Sequence, residues 1–516
     1  MKRFLCAVLG VLLFTSCKDE SDLIVENNFH NEEQTYAIPA DVALAYLKDF
    51  MDCIDNPDTR SSDKRIVSSV TSIKYQSLPT RTKEDINCDN LLYIANFEQD
   101  EGFAILAADN RIEEKIMVIA DRGNLSDKTI YEALEINNTE RIIVDGYPKT
   151  GPGFFTTPET GDEIFMNPNT VSLYDETEQD TLVGNFSLDE DVTTRSITNT
   201  PAPELVVSSL CVSYAVNRIR DYENKLQHLQ IVKEETIEGG GSGGHGNSGA
   251  PLKRTETTTS PWVIKDIVSP ILTNYVAWGQ DSPFNDLYPK KRKGLIIGHK
   301  RNAPAGCFPL AISKILTHFE APKRFIYNGY LVNWKELKQS HNSTIGRSSA
   351  AHLLKGISTG CGSWYFYEGT FTFPKKATSY MRNIGIANAH SYSYSFERVK
   401  KMIDKECPLI IYSVPGINIF KSHSWNIDGY KIKERTVTSK TYSGTTLENT
   451  TTKTETYYMV HCDFGWKGDY NGYYVSGIFK LDDDNIEYDN KYQNVNDHTN
   501  YNNLLRVIMY DKPNVQ

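Results

Sequence analysis

Apolar and polar positions divide the chain into stretches before any side-chain chemistry is considered. From Pro39, ADVALAYLKDFM sets Val42, Ala43, Leu47, Phe50 and Met51 at helical spacing behind a proline tolerated in a first turn. LLYIANFEQDEGFAILAADNRIEEKIMVIADRG alternates β-rich runs with the polar turns EQDEG and DNRIEEK, which predicts three strands. Together these read as a compact α+β unit beginning near residue 35. PELVVSSLCVSYAVNRIRDYENKLQHLQIV keeps helical spacing with no Gly or Pro after Pro203 and predicts one long helix. It gives way to GGGSGGHGNSG, residues 239–249, a composition that buries no core and reads as a flexible linker. Beyond the linker, from about Pro261, lies a domain rich in tyrosine and tryptophan. There PAGCFPLAISKIL passes from a loop into a helix marked by Phe308, Ala311, Ile312, Ile315, Leu316 and Phe319, with Pro309 allowed in its first turn. The stretch from Lys431 to Thr456, rich in Thr, Ser and charge, predicts a loop or β-ribbon, either binding substrate or serving as solvated decoration.

Composition narrows the class. The 516 residues suggest two or three domains, and 39% apolar content suffices for proper cores. A formal charge of −11 with no basic run argues against a nucleic-acid surface. The N-terminus MKRFLCAVLGVLLFTSCKDESD has two basic residues, an apolar run from Phe4 to Phe14 too short to span a bilayer, and small Thr15 and Ser16 before Cys17, which fits an export signal. The pattern resembles a bacterial lipoprotein signal (residues 1–16), with Cys17 lipidated and Lys18-Asp19-Glu20 resembling a surface-export tag. An ordinary cleaved signal peptide is the alternative. A lipid on Cys17 would be the sole membrane contact, on a tether over residues 17–34. Of the nine cysteines, setting aside Cys6 and Cys17 leaves seven: Cys53, Cys88, Cys211, Cys307, Cys361, Cys407 and Cys462. An odd count in an exported chain marks one as unpaired, and no Cys/His spacing suits zinc, so neither metal nor cofactor is expected.

Cys307 is the candidate for chemistry. At a helix N-terminus the orphan amides and the positive end of the dipole favour the thiolate, and Gly306 lets a substrate backbone come close. A buried structural cysteine is the alternative. A nucleophilic thiolate needs a base. His318, eleven residues along the same helix, stands roughly 16 Å away and does not reach. His423, in KSHSWNIDGYKI, and His461, in YYMVHCDFGWKGDYNGYY, both remain open from spacing alone.

These residues resemble the streptopain family of papain-like cysteine peptidases (peptidase family C10). Gly306-Cys307-Phe308 with Ala311 matches the family's G-C-[hydrophobic]-x-x-A nucleophile stretch. WGQDSPFN resembles N-Q-G-x-P-Y-N and puts Gln280 at the family's glutamine. SHSWNIDGY resembles G-H-A-[aromatic]-x-x-D-G-Y, which carries the catalytic histidine, here His423. HCDFGWKGDYNGYY resembles H-V-N-W-G-W-x-G-x-x-[DN]-G-[YF], and GFAILAADNRIEEKIMVIADRG resembles a phrase of the family's propeptide.

The resemblance implies an α+β fold: a papain-like protease domain over 261–516, its nucleophile helix packed on an antiparallel sheet. An inhibitory α+β propeptide over 35–200 precedes it; the resemblance does not cover the long helix and linker over 201–260, the region of the expected maturation cut, which falls either in the linker or before the helix. It implies Cys307 as nucleophile, His423 as its ion-pair partner and proton donor, and Gln280 as an oxyanion donor. Its partners would be protein or peptide substrates and, as intramolecular inhibitor, its own propeptide. Where the family has Asn-Trp this chain has Asp463-Phe464. Asp463 is expected to accept the imidazole N–H and raise its basicity. A transglutaminase-like acyl transferase and a non-catalytic surface binding protein on the same fold are the competing functions.

Overall fold

The computed structural model describes residues 22–24, 36–52, 65–78, 86–131, 154–156, 163–165, 203–238, 253–292, 299–413, 422–479 and 505–513. The expected signal peptide, Cys17, Cys53 and the glycine-rich linker 239–249 lie outside the described residues.

Helix α1 is Ala40–Asp52, where the apolar spacing places it. Strands β1 (Val67–Lys74), β2 (Asn90–Phe97), β3 (Phe103–Ala107) and β4 (Ile116–Ala120) form an antiparallel meander. Its last two strands are buried along their whole length. The long helix α2 runs over Pro203–Glu238, and β5 is Lys253–Thr259. Helix α3, Cys307–Phe319, is followed by α4, Thr344–Gly360. The later strands are β6 (His390–Ser393), β7 (Leu409–Ser413), β8 (His423–Ser443), β9 (Thr446–Asp463), β10 (Gly472–Val475) and β11 (Arg506–Met509).

One sheet runs in the order β6-β11-β7-β8-β9-β10-β4-β3-β2-β1. The join between β10 and β4 brings the meander of residues 67–120 and strands of the domain after the linker into one sheet: Gly472 faces Ala120, Tyr473 faces Ile119 and Tyr474 faces Val118. Both regions fall in one compact unit, 35–241 with 263–433 and 457–516. The sequence expectation split them into separate domains. A meander whose edge strand is apolar on both faces has reason to pair with the edge of another sheet. A second compact unit holds, among the described residues, 22–24, 253–262 and 434–456. In it the threonine-rich outer part of β8 pairs with β5, Val437 facing Thr259 through to Ser443 facing Lys253. The stretch from Lys431 is therefore a ribbon.

Helix α3 is the centre of the larger unit. Apart from Cys307 and His318 its residues are buried, including Lys314. A helix apolar nearly all round is one enclosed by packing on every side. Asn426 on β8 donates its side-chain amide to the Ala311 carbonyl at 3.3 Å, which sets α3 across the sheet. Among the described residues all six cysteines are free, and all but Cys307 are buried. No described helix is long and apolar enough to cross a membrane.

Candidate active site

The loop before Cys307 is held by hydrogen bonds from four directions. Ala303 N–H donates to the Pro289 carbonyl at 3.0 Å and Ala305 N–H to the Gln280 carbonyl at 2.8 Å. Tyr288 donates to the Ala305 carbonyl at 2.9 Å, and Thr370 donates its hydroxyl to the Pro304 carbonyl at 2.6 Å. Gly306 caps α3 with φ 89° and ψ 145°, a conformation that penalises any residue with a Cβ. A Cβ there would also press on the Thr370 side chain at 3.0 Å. The loop thus presents Cys307 as the first residue of α3, half-buried at the helix mouth.

Gln280 lies beside it. Its side-chain oxygen accepts the Gly306 N–H at 3.1 Å. With the oxygen so occupied, the same amide keeps its NH2 as the donating end. That arrangement suits a donor to an oxyanion forming above Cys307.

His423 is fully buried at the start of β8. Its ring stacks on Trp466 at 4.5 Å and 10°, with Trp425 at 5.7 Å and Phe464 at 6.3 Å. Neither ring nitrogen has a hydrogen-bond partner. Burial pushes its pKa down to about 3, opposed only by the Phe464 backbone carbonyl. Alternation along β8 explains why the dyad is not closed: His423 shares its row with Trp425, while Ser424 and Asn426 face α3. Ser424, the residue next to the histidine, favours the charged form of the Cys307 thiol and so moderates the rise of its pKa. No hydrogen bond joins thiol and imidazole.

Two sequence expectations are corrected by this geometry. The helix terminus was expected to depress the Cys307 pKa. Burial instead pushes the thiol up, and the contacts with Ser424 and the backbone amides of Phe308 and Cys307 only moderate the rise. Desolvation outweighs the helix terminus because the charged form loses its water. Asp463 was expected to accept the imidazole N–H. Its Oδ2 instead takes the Lys314 ammonium at 2.6 Å, with side chains 1% and 0% exposed, and its Oδ1 accepts the Gly465 N–H at 3.1 Å. Phe464 lies in the histidine row, its ring stacked on His423 at 6.3 Å.

The rival histidine has another setting. His461 Nδ1 lies 2.6 Å from Asp428 Oδ1 and its Nε2 3.4 Å from Asp121 Oδ2, the latter carboxylate arriving from the end of β4. Burial alone would lower its pKa, but Asp428 and Asp121 outweigh that and raise it to about 10. Lys314, Asp121 and Asp428 were missed by sequence reasoning. Of these Lys314 left a signal, as a lysine among the apolar residues of α3, and so did Asp428, at the aspartate of the D-G-Y segment; Asp121 left none.

No curated protein matches this chain. Among solved structures it is similar to a fragment of prointerpain A from Prevotella intermedia, at 14% identity and a TM-score of 0.41, over 86% of this chain and 100% of that one. The family model of the Peptidase C10 family matches residues 278–474, a span that takes in Gln280, Cys307, His423 and Asp463. The segment that builds this site, from Trp278 to Tyr474, therefore belongs to the Peptidase C10 family.

Proposed function

We propose that the chain is an exported cysteine endopeptidase, lipid-anchored through Cys17 and made as a latent precursor. Cys307 attacks the scissile carbonyl, His423 takes the thiol proton and returns it to the leaving amine, and Gln280 with the Cys307 N–H holds the oxyanion. The observation that carries this reading is the preformed Gly306-Cys307 helix mouth with Gln280 bonded to it.

Latency is supported by the protonation state. With the Cys307 thiol raised and the His423 imidazole lowered, the resting pair is uncharged, whereas the attacking species is a thiolate. Activation then requires a rearrangement that brings water or the imidazole to the sulfur. The N-terminal region is positioned to govern that change, because Arg122 contacts the Lys467 carbonyl at 3.5 Å and Asp121 N–H donates to the Asn471 carbonyl at 2.7 Å, on the segment following Trp466. Release of residues up to the linker region would free that segment.

The test is hydrolysis of unfolded casein by the full chain before and after limited proteolysis, with an irreversible thiol epoxide and the Cys307→Ser variant as controls. Cleavage that appears on processing and vanishes in the variant is expected. A folded, processed protein that cleaves nothing and whose Cys307 alkylates slowly would instead favour a binding protein. Incorporation of a labelled amine without hydrolysis would favour acyl transfer.

A further inference from the structure

The segment at the end of β9, from Asp463 to Lys467, touches His423, the stretch around Gln280 and the nucleophile's helix. Phe464 and Trp466 supply rings of the stack that holds His423. They lie parallel to each other at 5.0 Å and 3°. Lys467 N–H donates to the Trp278 carbonyl at 3.1 Å, and its ammonium lies 3.2 Å from Asp281, so the same segment flanks Gln280 on both sides. Two contacts tie it to the nucleophile's helix. Gly465, at φ 76°, lets the Leu310 side chain approach so closely that a Cβ would sit 2.6 Å from it. Lys314 reaches Asp463 from two turns below Cys307.

We propose that Lys314 is a positioning residue of the dyad: by holding Asp463 it fixes the aromatic turn of Phe464 and Trp466 over His423. This rests on the reading of Cys307 and His423 as a peptidase dyad. A carboxylate in this enclosed place without Lys314 has to find another cation or take up a proton, since an unpaired buried charge is strongly disfavoured. Asp463 and Phe464 are consecutive residues, so a shift of the carboxylate carries with it the ring stacked on His423. Around Asp463 the other titratable neighbours are the buried Cys462 thiol and, through it, Asp428, both on the acidic side. Around His423 they are the Cys307 thiol beyond Ser424 and the carbonyl of Phe464. Lys314 is thus the group that holds the aromatic stack closed over the histidine.

The experiment follows the His423 ring proton by NMR against pH in the full chain, assigned through its loss in His423→Asn. Urea unfolding checks each variant for folding, and Cys307 alkylation gives a second reading. In Lys314→Met the His423 titration is expected to move up by about one pH unit or more as the stack loosens and water reaches the ring. The alkylation profile should move with it. In the double variant Lys314→Gln with Asp463→Asn, an amide pair replaces the ion pair and the titration should return to that of the unmodified protein. A folded Lys314→Met with an unmoved His423 titration overturns the proposal, as does a double variant displaced as far as the single. Where Lys314→Met does not fold, the double variant compared with Asp463→Asn alone decides: rescue of the stack and titration supports the role, and equal displacement rejects it. If the unmodified protein cleaves no substrate, the peptidase reading fails while the titration still judges Lys314.

Discussion

His423 and His461 are buried histidines on adjacent strands of one sheet, and their surroundings drive them in opposite directions. His423 lies among Trp425, Phe464 and Trp466 with no polar partner and is held neutral. His461, equally enclosed, lies between Asp428 and Asp121 and is held charged. Burial therefore does not by itself determine a histidine's state; the partner inside the buried space does. The difference also sorts their work. A neutral imidazole on an aromatic cushion is free to accept a proton once solvent or the thiol reaches it. One already clamped by two carboxylates, of which one belongs to the N-terminal region, is a fastening.

The largest contrast is expected in turnover. His423→Ala and Cys307→Ser should each lower casein hydrolysis by about 10³- to 10⁴-fold or more in the processed protein. His461→Ala should leave turnover per folded molecule within a few-fold while stranding Asp428, at a cost of about 3–5 kcal/mol in urea unfolding. Equal kinetic losses at both positions would erase the distinction.

Next in size are the two pH limbs of stability. For His423 the folded value lies below that of the unfolded chain, so the unfolded state binds the proton first as pH falls. Stability is unaffected above about 6.5 and declines toward 3. For His461 the folded value lies above, so its contribution is complete below about 6.5 and is lost as pH rises through about 10. Each limb is worth on the order of 5 kcal/mol at its far end. Urea midpoints from pH 3 to 10 should flatten on the acid side in His423→Phe and on the alkaline side in the paired variant His461→Gln with Asp428→Asn.

A smaller effect is expected at Gln280, where replacement by Ala should lower kcat by about 10²- to 10³-fold with KM little changed. The smallest is at Asp121, half exposed and at the longer of the two contacts to His461. Asp121→Asn should weaken the hold of the N-terminal region by up to about 1 kcal/mol, read as a several-fold earlier onset of activity during limited proteolysis. No change in onset would mean that the β4–β10 pairing alone does the fastening.

Helical spacing was enough to place α1, α2 and α3, because each buries a stripe or a whole surface that the local pattern encodes. The β-rich runs of the N-terminal region were legible for the same reason, since three of the four strands are nearly continuous apolar segments. Within the site, Cys307 at a helix mouth behind Gly306 was also a local fact. What was not legible joins residues far apart: Lys314 with Asp463 across 149 positions, and His461 with Asp121 across 340. Nothing in the spacing of either pair specifies the other member. The direction of the Cys307 pKa was misjudged for a related reason. The helix terminus is visible in sequence, while the desolvation that overrides it depends on what packs over the sulfur.

The sequence by itself determined the elements, the order of the candidate residues and the family of the segment that carries them. These follow from periodicity and motif, both properties of neighbouring positions. Tertiary structure alone decided that the N-terminal meander shares a sheet with the peptidase segment, that Asp463 answers to Lys314, and that His423 rests neutral while His461 rests charged. Each of those outcomes depends on burial and on the charge brought into contact by folding, and electrostatic energy is set by distance and solvent access in three dimensions rather than by separation along the chain.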